Sequence, residues 1–519
     1  MINVRYNVDS KLKFNLAIVK EKNFWLSLIA IILSLAMILE VIVVCIFRLS
    51  YPDSFDWVEG ASADQVFRMM HGLYLYGAPS TSYISLMYPP LYEYVCAAFA
   101  FFFGDIFFTL RVVSLLSFLG VLYLVSRFVS RETGSITTGI LAAGICASSS
   151  LYTSFYSNMA RVDWLFCFLL LMSYYIVKFS KSNKSIIAGA GIFFLAAMTK
   201  QTALILIPMV SFALAFKDKK QALLFALTTT ALCGITYFGV NHATDGWFFY
   251  YLFAVPASHE INLVSNTIFF QNELFGFYVI SFVLSIHALS IWMRNGDKYN
   301  TAFYSLFLAG FFLISWAPRV KASGFVNNLF PLCIIISILG TIASQRLYRN
   351  RETRALASVF FLVMIVGRIY SPLGLIPDKL ATKLAVEKVN GFRRLPHGRI
   401  LAPTIMYLPI EAGRNSTAFW SAMLDVIFYQ QNRATPKFLS MLYNEILQQK
   451  FSAIVLPVGF SNSNYFPYTA LNRAYFKAGQ INENGDYLNI YYPLLEHLEY
   501  NKKSRVLKGF LPDKSQKNR

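Results

Sequence analysis

Long apolar runs separated by short basic loops constrain this chain more than any other feature. The first, "FWLSLIAIILSLAMILEVIVVCIF" at 24–47, carries one charged residue, Glu40, in 24 positions. As a helix it is long enough to cross the roughly 30 Å hydrocarbon core of a bilayer. Further runs at about 107–126, 136–152, 164–179, 186–199, 202–216, 221–240, 275–293, 301–317, 326–343 and 355–370 bring the total to about eleven. The division near 200 falls at "TKQ", Thr199 to Gln201, where polar residues cut one long apolar stretch. Of the 519 residues, 56% are hydrophobic and 14% charged, where a soluble domain carries about a quarter charged. The first run is too long for the apolar part of a signal peptide and lacks a cleavage site, so it reads as a retained helix. The expected fold class is a polytopic α-helical membrane protein with about eleven transmembrane helices.

Basic residues set the expected orientation. Arg5, Lys11, Lys13, Lys20 and Lys22 precede the first span, which places the amino terminus in the cytoplasm. Alternation then puts "RFVSRETG", "KFSKSNK", "KDKK", "RNGDK" and "QRLYRNRETR" on that same side. These anchors account for the net charge of +19 without invoking nucleic acid. The six cysteines, Cys45, Cys96, Cys146, Cys167, Cys233 and Cys333, all lie in or beside apolar spans, so no disulfide framework is expected in the tail. No Cys/His spacing reads as a zinc site.

Residues 1–370 are expected to form the transmembrane domain, with an outer first loop at about 48–106. From 371 to 519 the pattern changes to that of a small exported α/β domain. "GRILAPTIMYL" and "FSAIVLP" read as short buried strands, with "PKFLSMLYNEILQQK" as an amphipathic helix between them. "RAYFKAG" and "GDYLNIYYP" read as a final hairpin about Asn484-Gly485, and a basic end, "NKKSRVLKGFLPDKSQKNR", follows.

Charges at span ends on the predicted outer side need a reason, because no orientation rule asks for them. They fall in five places: Asp56, Glu59, Asp64 and Arg68; Arg161 and Asp163; Lys200; His259 and Glu260; Arg319 and Lys321. Asp56 and Glu59, in "DWVEG", are three apart and can share one face of a helical turn. Capping of a helix that ends near His71-Gly72 explains one of these acids better than two. Lys200 interrupts about thirty apolar residues opposite the basic side, where an ammonium can hold a phosphate at the lipid surface or simply snorkel. Lys321 follows the same logic. Arg161 and Asp163 open a span as an ion pair, an interfacial anchor or part of the same site. In "MYPPLYEYV", Tyr88 and Tyr92 could line a pocket for a sugar ring or lipid head group, or merely flank a break at Pro89-Pro90. His259-Glu260 offers a metal ligand or proton-transfer pair, or belongs to a solvated loop.

Taken in order, "DWVEG", "LYLYG…YPPLYEYV", "ARVDWL", "TKQTALILIP" and "KASGFVNNLFP" give the chain a resemblance to the C-type superfamily of membrane glycosyltransferases. The nearest kin are similar to glycosyltransferase family 39, which includes protein O-mannosyltransferases and the aminoarabinose transferase of lipid A. The resemblance covers about 24–340 and the exported tail. It implies transfer of a sugar from a polyprenyl-phosphate carrier on the outer membrane face, with inversion, by an acidic base in the first outer loop. Glu59 falls on the glutamate of the family's Asp-Glu pair, but Val58 precedes it and the nearest aspartate is Asp56, so the base is one of these two. Asp163 matches the acid that ends a later outer loop, and Lys200 the lysine that approaches the carrier phosphate. "YPP" replaces the "KPP" of the lipid A enzymes, and Met87 stands where they carry a glutamate implicated in metal binding. The metal site is therefore unassigned, with a divalent cation and His259 left as options.

The chemistry agrees with that implication. A hydroxyl is a poor nucleophile at neutral pH and needs a carboxylate to take its proton. A phosphate leaving group needs fixed cations, which Lys200 with Arg161 or Lys321 can supply. The expected partners are a polyprenyl-phosphate-linked sugar, a glycan, lipid or protein acceptor, and membrane lipids. The expected location is a bacterial inner membrane with the tail in the periplasm. A lipid-linked sugar transporter and a non-catalytic carrier-binding scaffold are the competing readings.

Overall fold

A computed structural model of the chain describes residues 8–149, 156–322, 324–350, 353–366, 373–405, 407–432, 436–460, 465–483 and 486–494. The Asn484-Gly485 turn of the expected hairpin, the basic end and Arg5 lie outside the described residues. The chain forms two compact units. One comprises Met1–Tyr51, Tyr88–Ala243 and His259–Pro377; the other comprises Pro52–Met87, Thr244–Ser258 and Asp378–Arg519. The second unit thus draws on the first outer loop as well as the tail, a grouping that chain order alone does not display.

In the first unit each expected span falls on a helix. These are α1 (Val8–Arg48), α4 (Ile106–Thr133), α5 (Ile136–Ser148), α6 (Asp163–Lys178), α7 (Asn183–Ala197), α8 (Leu206–Ala215), α9 (Lys219–Ala243), α10 (Val279–Arg294), α11 (Lys298–Arg319), α12 (Phe330–Arg349) and α13 (Arg354–Val366). The apolar segment after Pro90 adds α3 (Leu91–Phe103), while α2 (Trp57–Met70) belongs to the second unit. Among the described residues, five helices are long and apolar enough to cross a membrane. A sixth span results if Leu263–Phe277 and α10, which meet at 77°, count as one. The predicted break at Lys200 is real. Helix α7 stops at Ala197, Lys200 is extended, and a 3₁₀ turn at Gln201–Ile205 leads into α8.

Burial follows the lipid-solvent logic. Leu39 and Phe47 of α1 and Ile235 and Phe238 of α9 are exposed apolar side chains, as suits helices that face hydrocarbon. Helix α12 is central and almost wholly enclosed. Within its enclosed part, Ser337 and Ser344 donate to the carbonyls of Cys333 and Gly340 at 2.7 and 2.9 Å. That satisfies the hydroxyls within the helix and lets neighbours approach. A Cβ on Gly340 would lie 3.1 Å from the Ser281 carbonyl oxygen of α10. Arg111, fully buried on α4, closes the carboxyl end of α1 by donating to the carbonyls of Arg48 (3.2 Å) and Tyr51 (2.5 Å).

Residues from the basic loops contact one another. Lys178 meets Asn300 and lies 3.8 Å from Glu132. Lys217 donates to the Ser180 carbonyl at 2.7 Å, and Arg349 to that of Thr133 at 2.5 Å. Loops assigned to one membrane side by charge thus form one end of the helical unit.

The second unit contains a four-stranded sheet in the order β1-β2-β4-β3: β1 (Ile400–Leu401), β2 (Ala453–Pro457), β3 (Tyr475–Glu483) and β4 (Asp486–Pro493). Strand β1 runs parallel to β2, while β2–β4 and β3–β4 are antiparallel. The expected strands and the helix α16 (Lys437–Leu447) are present, with α14 (Lys379–Arg393) and α15 (Trp420–Gln431) besides. Val389 and Phe392 of α14 pack with Ile400, Val455, Ile481 and Ile490 in one core.

Candidate functional site

In the helical unit, the polar end opposite the basic loops is built around Asp163. Its position in the first turn of α6 suits a carboxylate, because the helix dipole is positive there. Lys200 donates to Asp163 Oδ1 at 2.8 Å and to Asn328 Oδ1 at 3.0 Å. Asn327 donates to Asp163 Oδ2 at 2.8 Å, and Arg161 Nε lies 3.5 Å from the same oxygen. All five side chains are buried. The rings of Tyr88 and Phe166 stand 5.8 and 5.9 Å from the Lys200 ammonium. Two cations share one carboxylate, so the cluster keeps a net single positive charge. Its scaffold is well fixed: Leu91 N–H donates to the Met198 carbonyl at 3.1 Å, Tyr237 Oη to that of Ala197 at 2.6 Å, and Trp164 Nε1 to that of Tyr156 at 2.9 Å.

A short backbone ladder adjoins in sequence. Ile261 bridges Lys321, Ala322 N–H donates to the Glu260 carbonyl at 3.0 Å, and Asn262 N–H to that of Val320 at 2.8 Å. His259-Glu260 and Lys321, two separate candidates in the sequence, therefore share one local structure. Lys321 is half-buried, and desolvation lowers its ammonium below the usual lysine range.

The second unit carries the acidic turn. Asp56 is the N-cap of α2 and accepts from Val58 N–H at 3.2 Å, while Glu59 Oε2 accepts from Phe55 N–H at 2.8 Å. Both acids thus secure the start of one helix, in the manner of a capping box. Asp56 is half-buried, whereas Glu59 is 0% exposed. Asp53 just upstream pairs with Lys388 of α14 inside the unit. Arg68 donates to the Tyr74 carbonyl at 3.1 Å and stacks over Tyr83 at 3.8 Å, fixing the loop after α2. Asp64 is buried on the same helix, and desolvation pushes its carboxyl up to about 7 against the opposing pull of Arg68 and Ser416.

The structure therefore brings together Arg161, Asp163, Lys200 and Tyr88, and separately Glu260 and Lys321. Tyr92, expected to line a pocket, does not. It is 0% exposed, and its hydroxyl bonds to the Leu110 carbonyl at 3.0 Å and to Ser114 at 2.9 Å, so it ties α3 to α4. Asn327, Asn328 and Glu273 went unassigned in the sequence. The adjacent "NN" after "KASGFV" was the signal for the two asparagines: paired amides at a span entrance need buried partners. Among the described residues, no group of three or more His, Cys, Asp or Glu is arranged to hold a metal ion. The divalent cation left open by the sequence has no such donor set there.

Comparison with known proteins gives a partial family match and a shared fold. Residues 87–241 match the family described as dolichyl-phosphate-mannose-protein mannosyltransferase. No curated protein sequence matches the chain. Among solved structures, ArnT from Cupriavidus metallidurans bound to undecaprenyl phosphate superposes with a TM-score of 0.59 at 11% identity, over 88% of this chain and 97% of that one. The archaeal oligosaccharyltransferase AglB from Archaeoglobus fulgidus, in complex with an inhibitory peptide and a dolichol-phosphate, gives 0.52 at 10% identity, over 91% and 74%. The chain is an integral membrane protein with the C-type glycosyltransferase fold.

Proposed function

We propose that the chain transfers a sugar from a polyprenyl-phosphate carrier to a hydroxyl acceptor at the outer face of the membrane. The observation that carries this reading is the buried Arg161–Asp163–Lys200 cluster with its residual positive charge. An ammonium has three N–H donors, and Asp163 and Asn328 engage two of those of Lys200. The third suits a phosphate oxygen. The family match over 87–241, which spans this cluster's Arg161, Asp163 and Lys200, supports the same carrier chemistry.

In the proposed step the acceptor oxygen bonds to the anomeric carbon while its proton passes to a carboxylate. The bond from that carbon to the phosphate oxygen breaks, and its electron pair leaves with the polyprenyl phosphate. Lys200 and Arg161, with Lys321, offset the charge that grows on the leaving group. The resemblance left the base open between Asp56 and Glu59. Burial favours Asp56, because a base must reach the acceptor and Glu59 is enclosed with one oxygen on Phe55 N–H. Glu59 then holds the turn, and inversion follows from attack opposite the carrier. The second unit, carrying both the acidic turn and the sheet, is the proposed acceptor-facing part, in the periplasm of a bacterial inner membrane.

Purified protein supplied with labelled polyprenyl-phosphate mannose, aminoarabinose, galacturonic acid or arabinofuranose tests the reading. Transfer of label to a hydroxyl acceptor, abolished in Asp56→Asn with carrier binding intact, is expected. Movement of uncleaved carrier between leaflets of a vesicle would instead identify a transporter, and binding without turnover of any donor a scaffold.

A further inference from the structure

We infer that Glu273 and Arg319 are positioning residues that set the carrier-phosphate site through Asn327 and Asn328; this rests on the Lys200 reading above. Glu273 lies on a π-helical stretch, Phe269–Phe277, just before the 77° bend into α10. π turns are rare and recur at functional sites. Its carboxylate is wholly buried, and its Oε1 accepts from Arg319 Nε at 2.9 Å and Nη2 at 2.7 Å. Arg319, at the end of α11, has its remaining nitrogen, Nη1, on the Gly324 carbonyl at 3.1 Å. One rigid guanidinium therefore grips a carboxylate on one side and a loop carbonyl on the other, a span that a point-like ammonium cannot bridge.

The loop so held leads directly to the site. Gly324 is packed against the end of α11, where a Cβ would meet the Pro318 carbonyl oxygen at 2.3 Å. The next residue, Phe325, accepts from Asn328 N–H at 3.2 Å and from Asn328 Nδ2 at 3.1 Å. Fixing Nδ2 in this way turns Oδ1 of the same amide to Lys200. Asn327, one residue earlier, donates to Asp163. A displacement of Gly324 moves the Phe325 carbonyl, rotates the Asn328 amide and releases the Lys200 ammonium. Glu273 touches none of the proposed reacting atoms, and its influence runs through Arg319 and the loop.

The test is a double-mutant cycle on the full-length protein in nanodiscs, with undecaprenyl phosphate as the probe. Glu273→Gln and Arg319→Lys should each weaken probe binding about tenfold in the wild-type background, and neither should weaken it further in Lys200→Ala, as expected for residues acting on one interaction. A purely structural pair would add its loss to that of Lys200→Ala, and additive effects overturn the proposal. Wild-type binding by both variants overturns it too. Where Glu273→Gln yields no folded protein, Arg319→Lys, which keeps the charge, carries the same cycle with Asn328→Leu. The underlying reading fails separately: undecaprenyl phosphate then binds Lys200→Ala as well as wild type.

Discussion

Helix α6 carries the two polar ends of the helical unit, and the lysines at those ends have different surroundings. At its carboxyl end, Lys178 is packed by the rings of Tyr299, Phe303 and Tyr304 at 4.4, 4.8 and 4.6 Å, with Asn300 on its ammonium and the Glu132 carboxylate at 3.8 Å. Near its amino end, Lys200 meets a carboxylate and an amide, and the rings of Tyr88 and Phe166 stand back at 5.8 and 5.9 Å. Aromatic faces close around the first cation and leave little space for a second anion. Directional, exchangeable hydrogen bonds hold the second. The difference teaches that burial alone does not mark a binding lysine. Nor does the kind of partner, since both lysines have a carboxylate and an amide; what differs is that the rings close on Lys178 and stand back from Lys200, whose carboxylate lies at 2.8 Å.

Mutations can break or sharpen that contrast. The largest effect should set the scale from the other unit: Asp56→Asn should reduce sugar transfer about 10³-fold, within the range for loss of a general base, with carrier binding unchanged in an equilibrium assay. Glu59→Gln should cost transfer less, and a larger loss there would make Glu59 the base. Next, Lys200→Ala should lower turnover about 10²-fold, as for one lost electrostatic contact to the transition state. Lys178→Ala should leave turnover per folded molecule nearly unchanged. Equal losses would erase the distinction between the two ends.

Stability should separate the ends as well. Asp163→Asn strands two buried cations and should cost about 3 kcal/mol in reversible unfolding. Glu132→Gln, whose carboxylate is 3.8 Å from Lys178 and which leaves Asn300 on that ammonium, should cost less. A different kind of effect is a pH dependence in the second unit. The Asp64 carboxyl titrates near 7 when folded against 3.8 unfolded, so the folded state binds the proton more tightly. Its favourable contribution is full below pH 4, falls as pH rises to 7 and is gone beyond. Thermal melting from pH 5 to 8 should show a decline that Asp64→Asn flattens.

Much of the helical unit was legible in the chain, because hydropathy is a local property and lipid enforces it. Even the "TKQ" break appears where expected, since three polar residues cannot continue an apolar span without partners. The acidic turn was half legible. "DWVEG" announced capping, but for one acid better than for two. Asp56 and Glu59 both serve the helix. Tyr92 misled for a related reason: a tyrosine after Pro-Pro looks like a pocket wall, and only α4 supplies the Leu110 carbonyl and Ser114 that draw it inside.

The sequence by itself determined the membrane class, the grouping of the basic loops and the short list of costly polar residues. Each of these depends on one segment meeting one solvent. Tertiary structure alone decided that Asp163 stands between Arg161 and Lys200, that Asn327 and Asn328 complete that cluster, and that Glu273 answers Arg319. Apart from neighbouring Arg161 and Asp163, those pairings join residues 37 to 164 positions apart. A buried charge must find its partner wherever the packed helices bring one, and that distance is not written in the order of the residues.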